Sequence, residues 1–409
     1  MATVPIALRL ASLRSSVLNC IVGLGINSEV PLRRQNPLRL LAVLSLHAAP
    51  WAMATTQGAP ERLVPDSVRC PRCQIVRTVE ARLQSTVLEG EIDEMPLGVR
   101  RSARGEIWVL SQRIGPRVYD SRGRFTRAIG RTGRGPGEYN AVDDLVWLPG
   151  DSVLVVDGIN RRATVITSDG RVQRTIQMPA TFLNLFVLEW PSRLFGSATM
   201  ATPAAAGHGL HLADLSGTSA RVSRSFSPGE GTLRPSDRTT TYHFISGTPT
   251  GDILSSTPHS FAIYSWSPSG HLKSSLVRRG KSLPDKVPDQ DVGNPRTPPS
   301  PAVSGLMVDE EGLIWFFVRV PAATWRDAWS TLPAGSAEAS RQQIGWPKLF
   351  NTRIEVIDPA RAQLLARTEI PGLVISTLGS GRIAVYGTSV LGEAEVRIDQ
   401  LRLQRSVVR

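Results

Sequence analysis

From residue 75 onward the chain is a succession of short apolar runs, each about four to eight residues long, separated by turns rich in Gly, Asp and Ser. No long amphipathic helix pattern interrupts them. One phrase recurs. Gly105-Glu-Ile-Trp-Val-Leu110 is followed by Arg117-Val-Tyr-Asp-Ser-Arg-Gly-Arg-Phe-Thr-Arg-Ala-Ile129. The same order returns at Asp144–Asp157 and Ala163–Ile176, with the turns at 120–123 and 168–170 in matching places. Such turns close hairpins between antiparallel strands. Looser copies follow at 185–217, 242–270, 305–358 and 374–403. The second strand of each copy is anchored by Ile107, Val153, Leu194, Ile253, Ile314 and Ile383.

A unit of four strands that repeats about every 40–50 residues marks a propeller blade, and the anchors count six blades. The expected fold is therefore all-β: a six-bladed β-propeller of four-stranded antiparallel blades over 75–409. Residues 75–88 read as a strand with no blade of their own. They are expected to pair with 395–403 and close the sixth blade, because an open ring leaves two unpaired edges. Two insertions lengthen the repeat. The Pro-rich 280–303 reads as a stiff loop between blades four and five. The segment 321–350 interrupts blade five between its second and third strands, with a short helix carrying Trp325 and Trp329.

Residues 1–54 read differently. Arg33, Arg34 and Arg39 precede the apolar stretch Leu40–Leu46, and Ala52-Met53-Ala54 follows with the small-x-small pattern of a signal-peptidase site. The stretch is too short to anchor the chain across a hydrocarbon core of ~30 Å. The expectation is an exported protein that starts near Thr55 and has no transmembrane anchor. Residues 55–74 read as a linker carrying Cys70-Pro-Arg-Cys73. A zinc site needs about four ligands and no second pair completes one. A thioredoxin-type motif needs a βαβ context that is absent. In an oxidising compartment the pair is expected to form a local disulfide.

Charge changes the picture little. The net charge is +12, and removing the five Arg and one Glu of residues 1–54 leaves about +8. Arg residues are scattered along the chain rather than gathered in a stripe with interleaved aromatics, so nucleic acid is not the expected partner. A monomer that binds a protein, peptide or small molecule is expected.

Ile129-Gly-Arg-Thr-Gly-Arg-Gly-Pro-Gly-Glu-Tyr139 is the most distinctive run. It resembles the inter-blade connector of bacterial exported six-bladed propellers of the NHL-repeat and TolB-like type. Val155-Val-Asp-Gly-Ile-Asn-Arg-Arg162 and the Cys70–Cys73 pair are similar to features of the same group. The resemblance covers 70–180 well and 181–409 by pattern only. It implies an exported propeller without fixing an activity, because one fold serves many functions. The glycines are not a phosphate loop: a strand rather than a helix N-terminus follows them.

In a four-stranded blade, the loop leading into the first strand and the loop between strands two and three emerge on one face. That places Arg134, Glu138, Tyr139, Asp143, Asp157, Tyr242, His243 and His259 around the channel mouth, the expected ligand site. Each also has a structural role open to it: Glu138 and Tyr139 could cap the connector, and Asp157 could close an Asx turn. His243 and His259 are the candidate pair for a divalent metal ion, though no third ligand stands out. No Ser-His-Asp order or nucleophile elbow is present, and no organic cofactor is expected. The leading function is a non-catalytic binding or scaffold protein. The alternative is a metal-assisted lyase or lactone hydrolase acting at the channel mouth, as in some related six-bladed propellers.

Overall fold

The computed structural model describes residues 59–405, apart from 88–89, 91, 93–94, 111–114, 201, 203–204, 206, 228–241, 281–282, 284–295, 330–344 and 390–391. The expected leader 1–54 lies outside the described residues, as does most of the 280–303 loop. Among the described residues no helix is long and apolar enough to cross a membrane.

Six four-stranded antiparallel sheets form a ring. Two strands precede them, β1 (Glu61–Val64) and β2 (Cys73–Arg82). Blade one is β3 (Gly98–Arg101), β4 (Ile107–Leu110), β5 (Arg117–Tyr119) and β6 (Phe125–Ala128). A two-stranded parallel pair, β7 (Arg131–Thr132) and β8 (Glu138–Tyr139), lies in the connector. Blade two is β9 (Val142–Leu148), β10 (Ser152–Asp157), β11 (Arg162–Thr167) and β12 (Val172–Gln177). Blade three is β13 (Phe182–Glu189), β14 (Arg193–Ala198), β15 (Leu210–Asp214) and β16 (Arg221–Phe226). Blade four is β17 (Phe244–Gly247), β18 (Ile253–Ser256), β19 (Ala262–Trp266) and β20 (Leu272–Arg278). Blade five is β21 (Ala302–Val308), β22 (Ile314–Pro321), β23 (Phe350–Asp358) and β24 (Gln363–Pro371). Blade six is β25 (Leu373–Gly379), β26 (Arg382–Thr388) and β27 (Ala394–Arg405), completed by β2.

The core is distributed between blades rather than gathered at one centre. Alternation within a strand sends neighbouring residues to opposite sheet faces. Val153 and Val155 of β10 therefore join a cluster with Trp108, Leu110 and Val118 of blade one, while Leu154 and Val156 join one with Phe182 and Leu194 of blade three. Analogous clusters fill the other four spaces. A middle strand has blades on both faces and so reads as a continuous apolar run; β4, β18 and most of β22 are buried throughout. Outer strands alternate, and β12 buries little besides Ile176.

The expected clasp is present. β2 pairs antiparallel with β27 from Cys73↔Arg405 to Arg82↔Arg397, the last residues of the expected 75–88 strand lying beyond it. The ring closes by more than this one strand, and here the linker reading of 55–74 is corrected. β1 adds a fifth strand to blade four, parallel to β20. Arg69 N then donates to Leu364 O of blade five at 2.8 Å. After β2, Gln84 N donates to Gly123 O at 2.8 Å and Phe125 N to Gln84 O at 2.9 Å, along the outer side of blade one. Residues 59–85 thus form a belt over the outer edges of blades four, five, six and one. The physical reason is edge satisfaction: the strands at the outer side of these blades present unpaired N–H and C=O groups, and the belt pairs with them.

An ion cluster fastens the belt where it crosses from blade four to blade five. Arg278 of β20, with a side chain only 1% exposed, donates to Glu355 of β23 at 2.6 Å and to Asp66 of the belt at 2.6 Å. Arg367 of β24 donates to both carboxylates as well. Cys70 and Cys73 are joined in a disulfide where the belt turns into β2.

Candidate functional site

The connector folds back on itself through β7 and β8, and Gly133 and Gly137 adopt positive φ there, a conformation that side chains other than glycine rarely take. Glu138 braces the loop. Its Oε2 accepts from Gly135 N at 2.7 Å and its Oε1 from Arg131 Nε at 2.8 Å. The Gly135 N–H, with Arg131 beside it, holds this carboxyl below its ordinary range. Arg162 donates to the carbonyls of Arg134, Gly135 and Glu138. The Arg134 side chain is exposed. Tyr139 is 1% exposed, and burial pushes its hydroxyl up to about 12.

Asp157 is fully buried and holds the connector to the β10–β11 turn. Its Oδ1 accepts from Asn160 N at 3.1 Å and Ala141 N at 3.3 Å, and its Oδ2 from Asn140 N at 3.1 Å and Asn160 Nδ2 at 2.6 Å. The bond to Asn160 N closes the turn three residues on, one position beyond the expected Asx turn, and three further bonds are added to it. Both carboxylate oxygens of Glu138 and of Asp157 are thus engaged by backbone and neighbouring side chains.

Closer to the axis, a hydrogen bond involving a side chain crosses each of the six seams between neighbouring inner strands. Arg100 Nε donates to Leu145 O at 3.1 Å, and Leu185 N to Asp144 Oδ2 at 2.7 Å. Asn184 Nδ2 donates to His243 O at 2.8 Å, and Val308 N to Ser246 Oγ at 3.2 Å. Thr377 Oγ1 donates to Leu306 O at 3.4 Å, and Val99 N to Ser376 Oγ at 2.8 Å. The inner edges of six splayed sheets cannot pair with one another as strands, so side chains supply the missing partners.

Asp144 is the hub of this ring. Its fully buried carboxylate receives Leu145 N at 2.7 Å on Oδ1, the guanidinium of Arg100 on the same oxygen, and Leu185 N on Oδ2. One side chain therefore joins blades one, two and three. Asn184 is the hub of the next seam. It sits at φ +49° within an irregular stretch of β13, where the register with β14 shifts between Leu183 and Phe186. Asn tolerates this left-handed conformation, and a bulge re-aims its side chain toward blade four. There its amide meets the Tyr242 hydroxyl as well as His243 O. Burial raises the Tyr242 hydroxyl above its ordinary range, and its ring lies edge-on to Phe244 at 5.2 Å.

Asp143 differs from its acidic neighbours. It is half-buried at the top of β9, and its Oδ2 accepts from Gly158 N at 2.8 Å. Gly158 fits closely there: a Cβ would come within 2.2 Å of that oxygen and 2.6 Å of Thr181 Oγ1, so those side chains would have to move. No described residue donates to Oδ1. Burial pushes Asp143 up to about 6; the Gly158 N–H opposes the shift, and Asp157 and Asp144 add to it.

The other candidates are more dispersed. His243 is buried at the start of blade four, and His259 is half-buried in the β18–β19 loop. Among the described residues no three His, Cys, Asp or Glu side chains gather as a metal site, so the pair gains no third ligand of those types there. The ends of the 321–350 insertion pack on the rim. Trp325–Trp329 forms a 3-10 turn and Trp346–Leu349 a single helical turn, α1. Trp325 is buried with Ala328, Leu349, Phe350 and Leu373, and Trp346 stacks on Phe350 at 6.0 Å. Arg319 lies over the Phe350 ring at 5.2 Å, and burial brings its guanidinium down to about 10.

Sequence reasoning missed Arg100 and Asn184. Neither lies in a motif, and only the meeting of inner strands brings them to the axis. Two clefts open on the opposite face, where sequence reasoning expected no ligand site. One, of about 550 Å³, is lined by the Cys70–Cys73 disulfide, Asp358, Arg361 and Arg405 between blades five and six. The other, of about 510 Å³, lies between blades four and five.

No protein-family profile matches this chain, and no curated protein matches it in sequence. By fold it is similar to a member of the DUF4221 family from Bacteroides vulgatus, with a TM-score of 0.54, 11% identity, and coverage of 81% of this chain and 99% of that one. It is also similar to a protein of Bacteroides fragilis named as a candidate exported protein, with a TM-score of 0.52, 12% identity, and coverage of 84% and 99%. A streptogramin B lyase lies further off, at a TM-score of 0.41, 10% identity, and coverage of 81% and 98%, and carries no argument about activity. At such identities the likeness shows the fold alone: the chain is a six-bladed β-propeller of the kind seen in the DUF4221 protein.

Proposed function

We propose that this protein is an exported, non-catalytic binding propeller that receives its ligand at the channel mouth beside Asp143. One observation carries the reading. Glu138, Asp144 and Asp157 spend their oxygens on holding the fold, while Asp143 keeps Oδ1 free of any described donor in a half-buried position. A single open carboxylate next to the Thr181 hydroxyl suits a ligand that brings a hydroxyl or amine donor. Acid–base chemistry of the hydrolase kind calls for a second group in a complementary state. The leader pattern at 33–54, the disulfide, and the resemblance of the 129–139 connector to NHL-repeat and TolB-like propellers support export.

The test is a thermal-shift screen of polyols, sugars and small amines on the wild type and on Asp143→Ala. Compounds that raise the wild-type melting temperature are expected to lose that effect in the variant. Equal stabilisation of both proteins by every such compound would sink the assignment.

A further inference from the structure

On the face opposite the channel mouth, blades four and five splay apart to form the 510 Å³ cleft. Its floor is apolar, with Leu254, Ile263 and Leu276 of blade four meeting Ile314 of blade five. Its rim carries three carboxylates, Asp252, Glu310 and Glu311, on the first turns of the two blades. The one cation lining it among the described residues is Arg62 of the belt. That guanidinium is already engaged, donating to Pro359 O at 3.0 Å and Ala360 O at 2.9 Å. Two of the carboxylates are also engaged, Asp252 with Lys273 at 2.5 Å and Glu311 with Arg405 at 2.8 Å. Glu310 is exposed and has no ion pair or hydrogen bond with a described residue.

We propose that this cleft binds a small amphiphilic cation, an alkyl or arylalkyl amine whose apolar body lies on the floor and whose ammonium meets Glu310. The volume falls in the range of about 300–1,000 Å³ usual for small-molecule sites. Placing an apolar body there removes it from water onto a floor that is itself part of the buried cluster between the blades. Charge then selects among ligands of the same shape. A cation finds the open carboxylate, an alcohol leaves it unused, and a carboxylate ligand meets like charge. With Asp252 and Glu311 each paired to a cation and Arg62 held by two carbonyls, selection for a cation rests on Glu310. This site is remote from Asp143, and each can fail without the other.

The test is calorimetric titration of the full chain with three probes that share one body: 3-phenylpropylamine, 3-phenylpropanol and 3-phenylpropanoate. The amine is expected to bind best, with the alcohol about fivefold weaker, in keeping with one partly exposed ion pair. The propanoate is expected to be weakest. Glu310→Gln should bring the amine to the affinity of the alcohol and leave the alcohol unchanged. Ser265→Phe, which fills the cleft from its wall, should abolish binding of both. Equal affinity for amine and alcohol, absence of binding by all three, or amine binding that survives Ser265→Phe would each overturn the proposal. If Ser265→Phe does not fold, Glu310→Gln decides: unchanged amine affinity overturns it.

Discussion

Asp143 and Asp144 are adjacent in the chain and differ in everything else. Asp144 receives donors on both carboxylate oxygens, whereas Asp143 has the Gly158 N–H and a desolvated position. For Asp143 the sign of the pH effect follows from its folded value of about 6 against an ordinary 3.8. Between those values the folded protein holds a proton that the unfolded chain releases, so stability rises as pH falls from about 6 toward about 4. Asp143→Asn is expected to remove that rise and to leave the protein slightly more stable at pH 7. Melting temperatures of both proteins from pH 7.5 to 4.5 check this; parallel curves would show that Asp143 does not titrate in the window. Binding of a ligand that needs the ionised carboxylate should run the other way and weaken as pH falls below about 6.

At the level of elements, the belt has two parts with different duties. β2 is a whole strand of blade six, paired along β27, and blade six is incomplete without it. β1 is a supplementary edge strand whose apolar contribution is chiefly Val64, 1% exposed in the cluster between blades four and five. Removal of residues up to Pro65 should therefore lower stability by about 2–4 kcal/mol, from the burial of one Val and a short run of edge hydrogen bonds, with the ring intact. Removal up to Arg82 should leave no folded ring, because β27 and the apolar clusters on both faces of blade six open to water together. Chemical denaturation and circular dichroism of the two truncations distinguish these outcomes; equal effects would show that the belt acts as one unit. The expectation of a clasp came from counting strands, and that much was legible. Glu61–Val64 was not, since four residues with two charges carry no strand pattern, and only the exposed edge of β20 recruits them.

For the whole molecule, closure is a matter of seams. Apolar clusters fill the spaces between blades, but at the axis the sheets are too few and too splayed for continuous pairing, and polar side chains bridge the inner strands instead. Asp144 serves two of those seams at once. Asp144→Ala should leave Leu185 N and the Arg100 guanidinium without their acceptor in a buried setting and cost about 3–5 kcal/mol. Because each blade leans on two neighbours, the loss should shift one cooperative transition for the whole ring rather than melt blades two and three separately. Calorimetry reads this directly, and a second transition appearing in the variant would show that the blades unfold as independent units.

The number of blades, their order and the strand that closes them follow from local pattern. Alternation of period two, Gly-containing turns and a repeat length are all written within a few dozen consecutive residues. The connector was equally legible, because its glycines and Glu138 act on one another across a handful of positions. What decides the candidate sites is written across long separations. Asp66 meets Arg278, 212 residues away, and Val99 meets Ser376, 277 residues away. The cleft between blades four and five likewise gathers Arg62, Leu254 and Glu310 from three distant turns and strands. Each of those residues is unremarkable in its own neighbourhood. A hydrogen bond or cavity wall depends on position in space, and the ring geometry alone sets those positions once local pattern has chosen the fold.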